Sequence, residues 1–230
     1  MGLLATFAAV SAAASTNFVD RSSTRRFFAA ERPIQAPAAP WGALPLSGIE
    51  QLEPRGGSGE AWALEAATGR VHLLGPDGGQ RPVAVAGSGG LVAPPGSRLV
   101  GGVGATALVV AEPARVRWLE CAAHGATCRE TASAASSAGR VNAASTSGEQ
   151  LWLGTARGLA RSAAVGAAPV LLNVSGGDPV LAVATAGSGS VAAATAQTLW
   201  RLRAGTWSHL GVGGVIDSNI TSLAFFAGAR

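Results

Sequence analysis

The sequence contains no lysine and no tyrosine, and only 13% of its residues are charged. The first absence excludes a P-loop lysine, a Schiff base and a lysine general base, and the second excludes a phenolic acid. All 17 basic residues are therefore arginines, and Arg25–Arg26 is the only adjacent pair. Because nucleic-acid binding needs basic charge clustered on one face, the formal charge of +4 does not predict a nucleic-acid partner.

The residue types that most often perform catalysis are scarce or scattered. No serine has glycines at both the −2 and +2 positions, so a nucleophile elbow is excluded. Carbohydrate-active enzymes use paired carboxylates, but nothing in the sequence indicates that two of the acids converge, and we expect them to be solvated. The acids considered are Glu53, Glu65, Glu112 and Asp178. The sequence therefore predicts a protein that is not an enzyme and has no cofactor.

The histidines are too few and too dispersed for a metal centre, because structural zinc normally has four ligands. We expect them on outer strands or turns, exposed to solvent, with no metal-binding role. They are His72, His124 and His209.

The N-terminal segment is typical of a targeting sequence. Residues 2–14 form an apolar run that is too short to span a bilayer and ends in small residues. This pattern predicts a signal peptide over residues 1–14, although no positive charge precedes the run. Residues 15–40, rich in arginine, serine and proline, predict a disordered linker, or a transit-type extension. We therefore expect a secreted or extracytoplasmic protein, with an organellar location as the alternative, and no membrane span.

Cys121 and Cys128 flank the segment Ala-Ala-His-Gly-Ala-Thr. In an oxidising compartment this spacing predicts a disulfide that clamps a hairpin, and two reduced thiols on neighbouring strands are the alternative. Asn173 and Asn219 begin glycosylation sequons, which matter if the chain is exported from a eukaryotic cell.

An internal repeat is the most informative feature of the sequence. Residues 151–161 read Leu-Trp-Leu-Gly-Thr-Ala-Arg-Gly-Leu-Ala-Arg, and four of these residues recur in the segment 191–201 as Thr195, Ala196, Leu199 and Arg201. Weaker copies occupy residues 61–74 and 108–119, and Trp62 stands in the place of Trp152.

Each copy lies in a frame of four short strands. The first strands are predicted at 49–52, 91–93, 141–144, 180–184 and 220–225, the third at 71–74, 116–119, 159–161 and 199–202, and the fourth at 81–85, 127–131, 170–174 and 207–211. A second strand, such as 151–154, lies between the first and the third. Four strands about every 40–45 residues are typical of propeller blades. Residues 41–230 therefore predict an all-β propeller of about four blades. Residues 41–46 and 220–225 are expected to share an incomplete fifth blade, or else the chain is a fragment of a larger propeller.

The segment 150–161, Gln-Leu-Trp-Leu-Gly-Thr-Ala-Arg-Gly-Leu-Ala-Arg, resembles the two-component regulator propeller repeat. Residues 218–225 resemble the inner strand that opens the next repeat of that family. The resemblance implies a propeller of the kind found in extracytoplasmic sensor regions, without catalytic residues. It also implies about seven blades, more than the four visible here.

These observations together predict a non-enzymatic interaction module, such as the sensor part of a larger regulatory protein. Its channel mouth is expected to bind a protein, a glycan or a small ligand. A carbohydrate-active propeller enzyme and a nonfunctional fragment are the alternatives.

Overall fold

The computed structural model describes residues 48–55, 59–102, 106–123, 125–186, 189–211 and 223. The predicted signal peptide, the linker and residues 41–46 lie outside this range, as does all of the predicted strand 220–225 except Leu223. Every regular element among the described residues is a β-strand, and the strands form four sheets. None of the described segments is a helix long and apolar enough to cross a bilayer.

Blade 1 is an antiparallel meander of β1 (Ile49–Arg55), β2 (Glu60–Glu65), β3 (Val71–Leu74) and β4 (Gln80–Pro82). The chain then forms a two-stranded ribbon, β5 (Ala84–Val85) and β6 (Gly89–Gly90), before it enters the next blade.

Blade 2 contains β7 (Arg98–Gly101), β8 (Ala107–Ala111), β9 (Arg115–Cys121) and β10 (Thr127–Ala135). The β5–β6 ribbon extends this sheet at its outer edge, where β5 pairs in parallel with the start of β10.

Two predicted strand positions at this junction are wrong. The inner strand of blade 2 is β7, whereas Leu91 and Ala93 are buried in the connection between the blades. Their backbone groups bond to blade 1, with Val71 N–H donating to Leu91 O (3.0 Å) and Ala93 N–H to Gly69 O (2.8 Å). The predicted strand 81–85 is in fact divided, because β4 belongs to blade 1 and β5 to the sheet of blade 2.

Blades 3 and 4 agree closely with the predicted frame. Blade 3 comprises β11 (Val141–Ser147), β12 (Gln150–Thr155), β13 (Gly158–Ser162) and β14 (Val170–Leu172). Blade 4 comprises β15 (Ala182–Thr185), β16 (Val191–Ala194), β17 (Thr198–Arg203) and β18 (Thr206–Gly211). Both are four-stranded antiparallel sheets in sequence order.

The four sheets stack side by side with their first strands adjacent, because β1 contacts β7, β7 contacts β11 and β11 contacts β15. An apolar cluster fills each space between neighbours: around Trp62 between blades 1 and 2, around Trp118 between blades 2 and 3, and around Trp152 between blades 3 and 4. Each sheet is too small to be stable alone and is covered by its neighbours. This is the arrangement of blades in a β-propeller, so the predicted fold is confirmed.

The repeated threonines close equivalent hairpins. Thr155 Oγ1 donates to Gly158 O (2.8 Å) and accepts from Arg157 N–H (3.1 Å) in the β12–β13 turn. Thr195 Oγ1 accepts from Gln197 N–H (3.3 Å) and Thr198 N–H (3.1 Å) in the β16–β17 turn. The repeat is thus explained by a side-chain bond that stabilises each tight connection.

Trp152 fills the space between blades 3 and 4, and Gly154 leaves room for the close approach of blade 4. Trp152 is buried and packs edge-on against Trp207 of blade 4, with ring centroids 6.1 Å apart. A Cβ on Gly154 would lie 2.9 Å from Val180 Cγ1 and 3.0 Å from Val180 O, so only glycine allows this approach of blade 4. Ala194, in the corresponding place on β16, belongs to the cluster against which Leu223 packs.

Candidate functional site

Polar side chains on the inner strands join neighbouring blades through the backbone. The amide of Gln51 donates to Leu99 O (2.6 Å) and accepts from Leu99 N–H (2.9 Å), and Asn142 Nδ2 donates to Val180 O (3.0 Å). An inner strand has a ladder partner on one side only, so these side chains satisfy backbone groups on its free side. The inner strands therefore carry polar groups that are already used in contacts between blades.

A polar belt crosses the blades where the inner strands end. Gly101 N–H donates to Glu53 Oε1 (2.9 Å), and Thr146 Oγ1 donates to Gly101 O (2.7 Å). Thr185 Oγ1 continues the belt by donating to Thr146 O and lying 2.9 Å from Ser145 Oγ.

Glu53 is the acid of this belt, and its surroundings disfavour its charge. Burial raises the pKa of Glu53 above its usual range, and the hydrogen bond from Gly101 N–H opposes that shift.

The opposite end of the inner strands, where they begin and which we call the mouth, is held by an ion pair. Arg98 Nη1 lies 2.7 Å from Glu50 Oε1, and Arg98 Nε donates to Asn142 O (2.9 Å). One arginine therefore connects the inner strands of blades 1, 2 and 3 at this mouth.

Beside Glu50 a cleft of about 140 Å³ opens between blade 1 and the connection to blade 2. The β2–β3 turn forms one side, and residues 92–95 form the other. Apolar groups supply about half of its lining, and Val92, which is one of them, is 51% exposed. The turn and the connection are joined by the bond from Ala93 N–H to Gly69 O. We call this space the mouth cleft.

Two carboxylates line the mouth cleft, those of Glu50 and Glu65. Thr68 Oγ1 donates to Glu65 Oε2, and His72 Nε2 lies 3.6 Å from the same oxygen. The hydrogen bond from Thr68, with a smaller contribution from His72, lowers the pKa of Glu65. Glu65 is therefore held as a carboxylate at neutral pH.

Cys121 and Cys128 are joined in a disulfide, directly opposite each other on β9 and β10. The hairpin that they close is attached to blade 1, because the buried guanidinium of Arg55 donates to Ala122 O and to Gly125 O (3.3 Å). The oxidising compartment that such a bond requires stays a prediction.

The sequon asparagines and the histidines have different surroundings. Asn173 is exposed in the connection after β14, and Asn219 lies outside the described residues, as does His124. His209 is exposed on β18, as expected. His72 is not: its side chain is mostly buried on β3, where its Nε2 lies 3.6 Å from Glu65 Oε2.

The four acids considered for catalysis are not brought together. Glu53 lies in the polar belt and Glu65 in the mouth cleft, whereas Asp178 is exposed in the loop before β15. Glu112, which we expected to be solvated, is buried and forms ion pairs with Arg115 (2.7 Å) and Arg117 (3.5 Å). No group of three or more potential metal ligands occurs within the described ranges.

Sequence reasoning missed the mouth cleft, because its second wall was assigned to a strand. The signal that could have corrected this is Pro94–Pro95, since proline cannot donate to a strand ladder.

Comparisons with known proteins show the fold alone. No family model matches the chain, and no curated protein matches it. A chain of the nidogen–laminin complex is 14% identical, with a TM-score of 0.54, 76% of this chain covered and 67% of that chain. The WD40 domain of coronin from Toxoplasma gondii is 15% identical, with a TM-score of 0.51 and 70% and 44% covered.

The extracellular domain of a one-component system from B. thetaiotaomicron is 11% identical, with a TM-score of 0.48, 74% of this chain covered and 23% of that chain. This chain thus spans less than half the length of two of these three structures. The likeness agrees with a partial β-propeller. The resemblance to the two-component regulator propeller repeat stays a prediction, since no family model matches.

Proposed function

We propose that this chain is a non-enzymatic β-propeller module that binds a partner or ligand at the mouth where the inner strands begin. The observation that carries the proposal is the mouth cleft, a concave space that apolar and polar groups line in about equal parts. Binding sites for ligands are usually concave and combine apolar surface with a few polar groups. The exposed Val92 at its wall provides apolar surface for a contact.

The electrostatics of the cleft favour binding over catalysis. A glycoside hydrolase needs one carboxyl group that is protonated near neutral pH, and hence has a raised pKa. Glu65 has a lowered pKa instead, and Glu50 is paired with Arg98. Neither residue is thereby suited to the role of general acid. An extracytoplasmic location and a role as the sensor part of a longer protein belong to the same proposal.

Two valines allow a matched test of the proposed surface. Val92 stands in the mouth cleft and is 51% exposed, whereas Val170 is 64% exposed on β14, the outer strand of blade 3. Tryptophan at either position adds an uncharged bulk to an exposed site, so we expect both V92W and V170W to fold. V92W fills the cleft, and V170W leaves it open.

The measurement is quantitative mass spectrometry of molecules retained from cell extract by the immobilised wild type and by the two variants. We expect a component retained by the wild type and V170W and lost from V92W. Retention of every component by V92W would contradict the proposal. Thermal unfolding of the three proteins provides the folding control.

A further inference from the structure

We propose that the mouth cleft recognises a cationic group on an alkyl stem, namely a lysine or arginine side chain presented by a partner protein. This inference rests on the proposed function and adds the chemical class of the ligand. Its basis is the combination of a small cleft, about half of it apolar, with carboxylates whose hydrogen-bonding capacity is only partly used.

The size of the cleft suits one side chain. A volume of about 140 Å³ is close to the roughly 150 Å³ of an engineered cavity that takes up a benzene molecule. The butyl stem of lysine is of similar size and can pack against Val92 and Pro94, which are both exposed. Larger ligands cannot be enclosed here and would have to extend over the surrounding surface.

The hydrogen-bonding groups of the cleft select a donor. Its backbone N–H groups at Glu65, Ala66, Gly69 and Ala93 all bond within the protein. Pro94 and Pro95 have no N–H group. Among the described residues the N–H groups of Ala67, Thr68 and Val92 have no partner, and the strongest acceptors that remain are the two carboxylates. A ligand that engages these carboxylates must bring donors, as an ammonium or a guanidinium does.

Each carboxylate is oriented through one of its oxygens. Glu50 Oε1 contacts Arg98, and Glu65 Oε2 contacts Thr68 and His72. Within the described part of the chain, no hydrogen bond occupies Oε2 of Glu50 or Oε1 of Glu65. Since the neighbours fix the two groups in place, a cation entering the cleft meets acceptors that need little reorganisation.

Two arginines oppose an incoming cation and limit its affinity. Arg98 neutralises part of the charge of Glu50, and Arg70 lies close enough to Glu65 to stabilise its carboxylate. Arg98 is, however, engaged with Asn142 O and Ser97 O, which hold its guanidinium in the contact between inner strands. We therefore expect weak binding of an isolated side chain, strengthened by further contacts in the complete partner.

The test uses three pentapeptides, Ac-Gly-Gly-X-Gly-Gly-NH2 with X as lysine, arginine or norleucine, and free n-butylamine. Binding is followed from the NMR methyl signals of Val92 and Leu64 in the wild type, E65Q and E50Q. E120Q is the matched control, because Glu120 is exposed on blade 2 and its ion pair within the described ranges is with Arg129. Unchanged signals elsewhere report that each variant is folded.

We expect the lysine and arginine peptides to shift the two methyl signals and the norleucine peptide to bind at least about tenfold more weakly. E65Q and E50Q should each weaken binding of the cationic peptides by about tenfold, E120Q should not, and added salt should weaken it further. Binding of n-butylamine with the affinity of the lysine peptide would assign the ligand to free amines and overturn the partner's side chain as its source.

Equal binding of the norleucine peptide, or binding unchanged in both E65Q and E50Q, overturns the inference. So does the absence of any shift with all four probes. The proposed function stands in each of these cases if V92W still loses the component that V170W retains from extract. It falls only if V92W retains that component, so the two failures are distinguishable.

Discussion

At the scale of single residues, Gly154 decides how closely blades 3 and 4 approach each other. A methyl group there would contact the Val180 carbonyl oxygen at 3.0 Å and Val183 Cγ2 at 3.1 Å, and the backbone cannot yield as a flexible side chain would. We expect G154A to lower the free energy of unfolding by about 1–3 kcal/mol, as overpacking does. Urea unfolding measures this. G90A is the control, because a Cβ on Gly90 meets open space, and a loss as large in G90A would contradict the steric explanation.

Glu53 carries a second residue-scale prediction, on the dependence of stability on pH. Its pKa is raised in the folded protein by burial, so ionisation costs more in the folded than in the unfolded state. Stability therefore decreases as the pH rises from the usual glutamate value, about 4.3, through the raised pKa. E53Q does not ionise, yet its side-chain oxygen can still accept from Gly101 N–H.

We expect E53Q to have a higher Tm than the wild type at pH 7, with the difference vanishing below about pH 4. Thermal unfolding between pH 3.5 and 8 provides the measurement, and E120Q, at an exposed position, provides the comparison. A wild type as stable as E53Q at pH 7 would contradict the assigned role of burial.

At the scale of the strand pair, the Thr155 hydroxyl acts as an internal brace of the β12–β13 hairpin. The side chain is fully buried, and its oxygen both donates to Gly158 O and accepts from Arg157 N–H. Valine has the same shape without the hydroxyl, so T155V removes both of these hydrogen bonds. We expect a loss of about 1–3 kcal/mol in the free energy of unfolding, measured in urea.

Thr127 offers the matched comparison for T155V, because it is exposed at the start of β10. T127V should change stability by no more than about 0.5 kcal/mol. A T155V protein as stable as T127V would show that the repeated threonine is not needed for the turn.

At the scale of the strand pair, the burial of apolar residues explains which elements could be predicted from the sequence. Blade 3 was predictable because Leu151, Leu153 and Leu159 are fully buried in strands with short turns between them. The inner strand of blade 2 was not, because Leu91 and Ala93 are equally buried in a connection. Burial produces the same apolar pattern in a strand and in a packed crossing, and only the hydrogen-bond partners distinguish the two.

The mouth cleft could not be predicted from the sequence for a related reason. It exists because residues 92–95 fold back onto the β2–β3 turn, far from where a regular frame of strands would place them. The acids were visible in the sequence, but their environments were not: Glu112 is buried against arginines, and Glu65 is held ionised by Thr68. Such differences depend on contacts that are distant in sequence or set by side-chain rotamers.

At the scale of the whole molecule, the blades differ in how well their neighbours cover them. Blades 2 and 3 have a described blade on each side, and β12 is buried from Leu151 to Thr155. Blade 4 packs on blade 3 through Trp200 and Trp207, but Arg201 and Arg203 on its other side are exposed. In a stack of repeats, stability is approximately a sum of each unit's own stability and the interfaces that it makes.

Hydrogen exchange should therefore follow the position of a strand in the stack. We expect amides of β8, β9, β12 and β13 to exchange most slowly, and those of β17 and β18 to open at a free energy lower by at least about 1.4 kcal/mol, a factor of about ten in rate. Mass spectrometry of peptides from each blade measures this exchange. The conditions are chosen so that the exchange rate rises with pH, because the rate then reports the equilibrium between closed and open amides. Equal protection of β12 and β17 would mean that the blades unfold as one cooperative unit, which contradicts the additive description of their stacking.

In G154A, which weakens the contact between blades 3 and 4, the protection of β17 should fall further while that of β9 stays unchanged, because β9 does not share that interface.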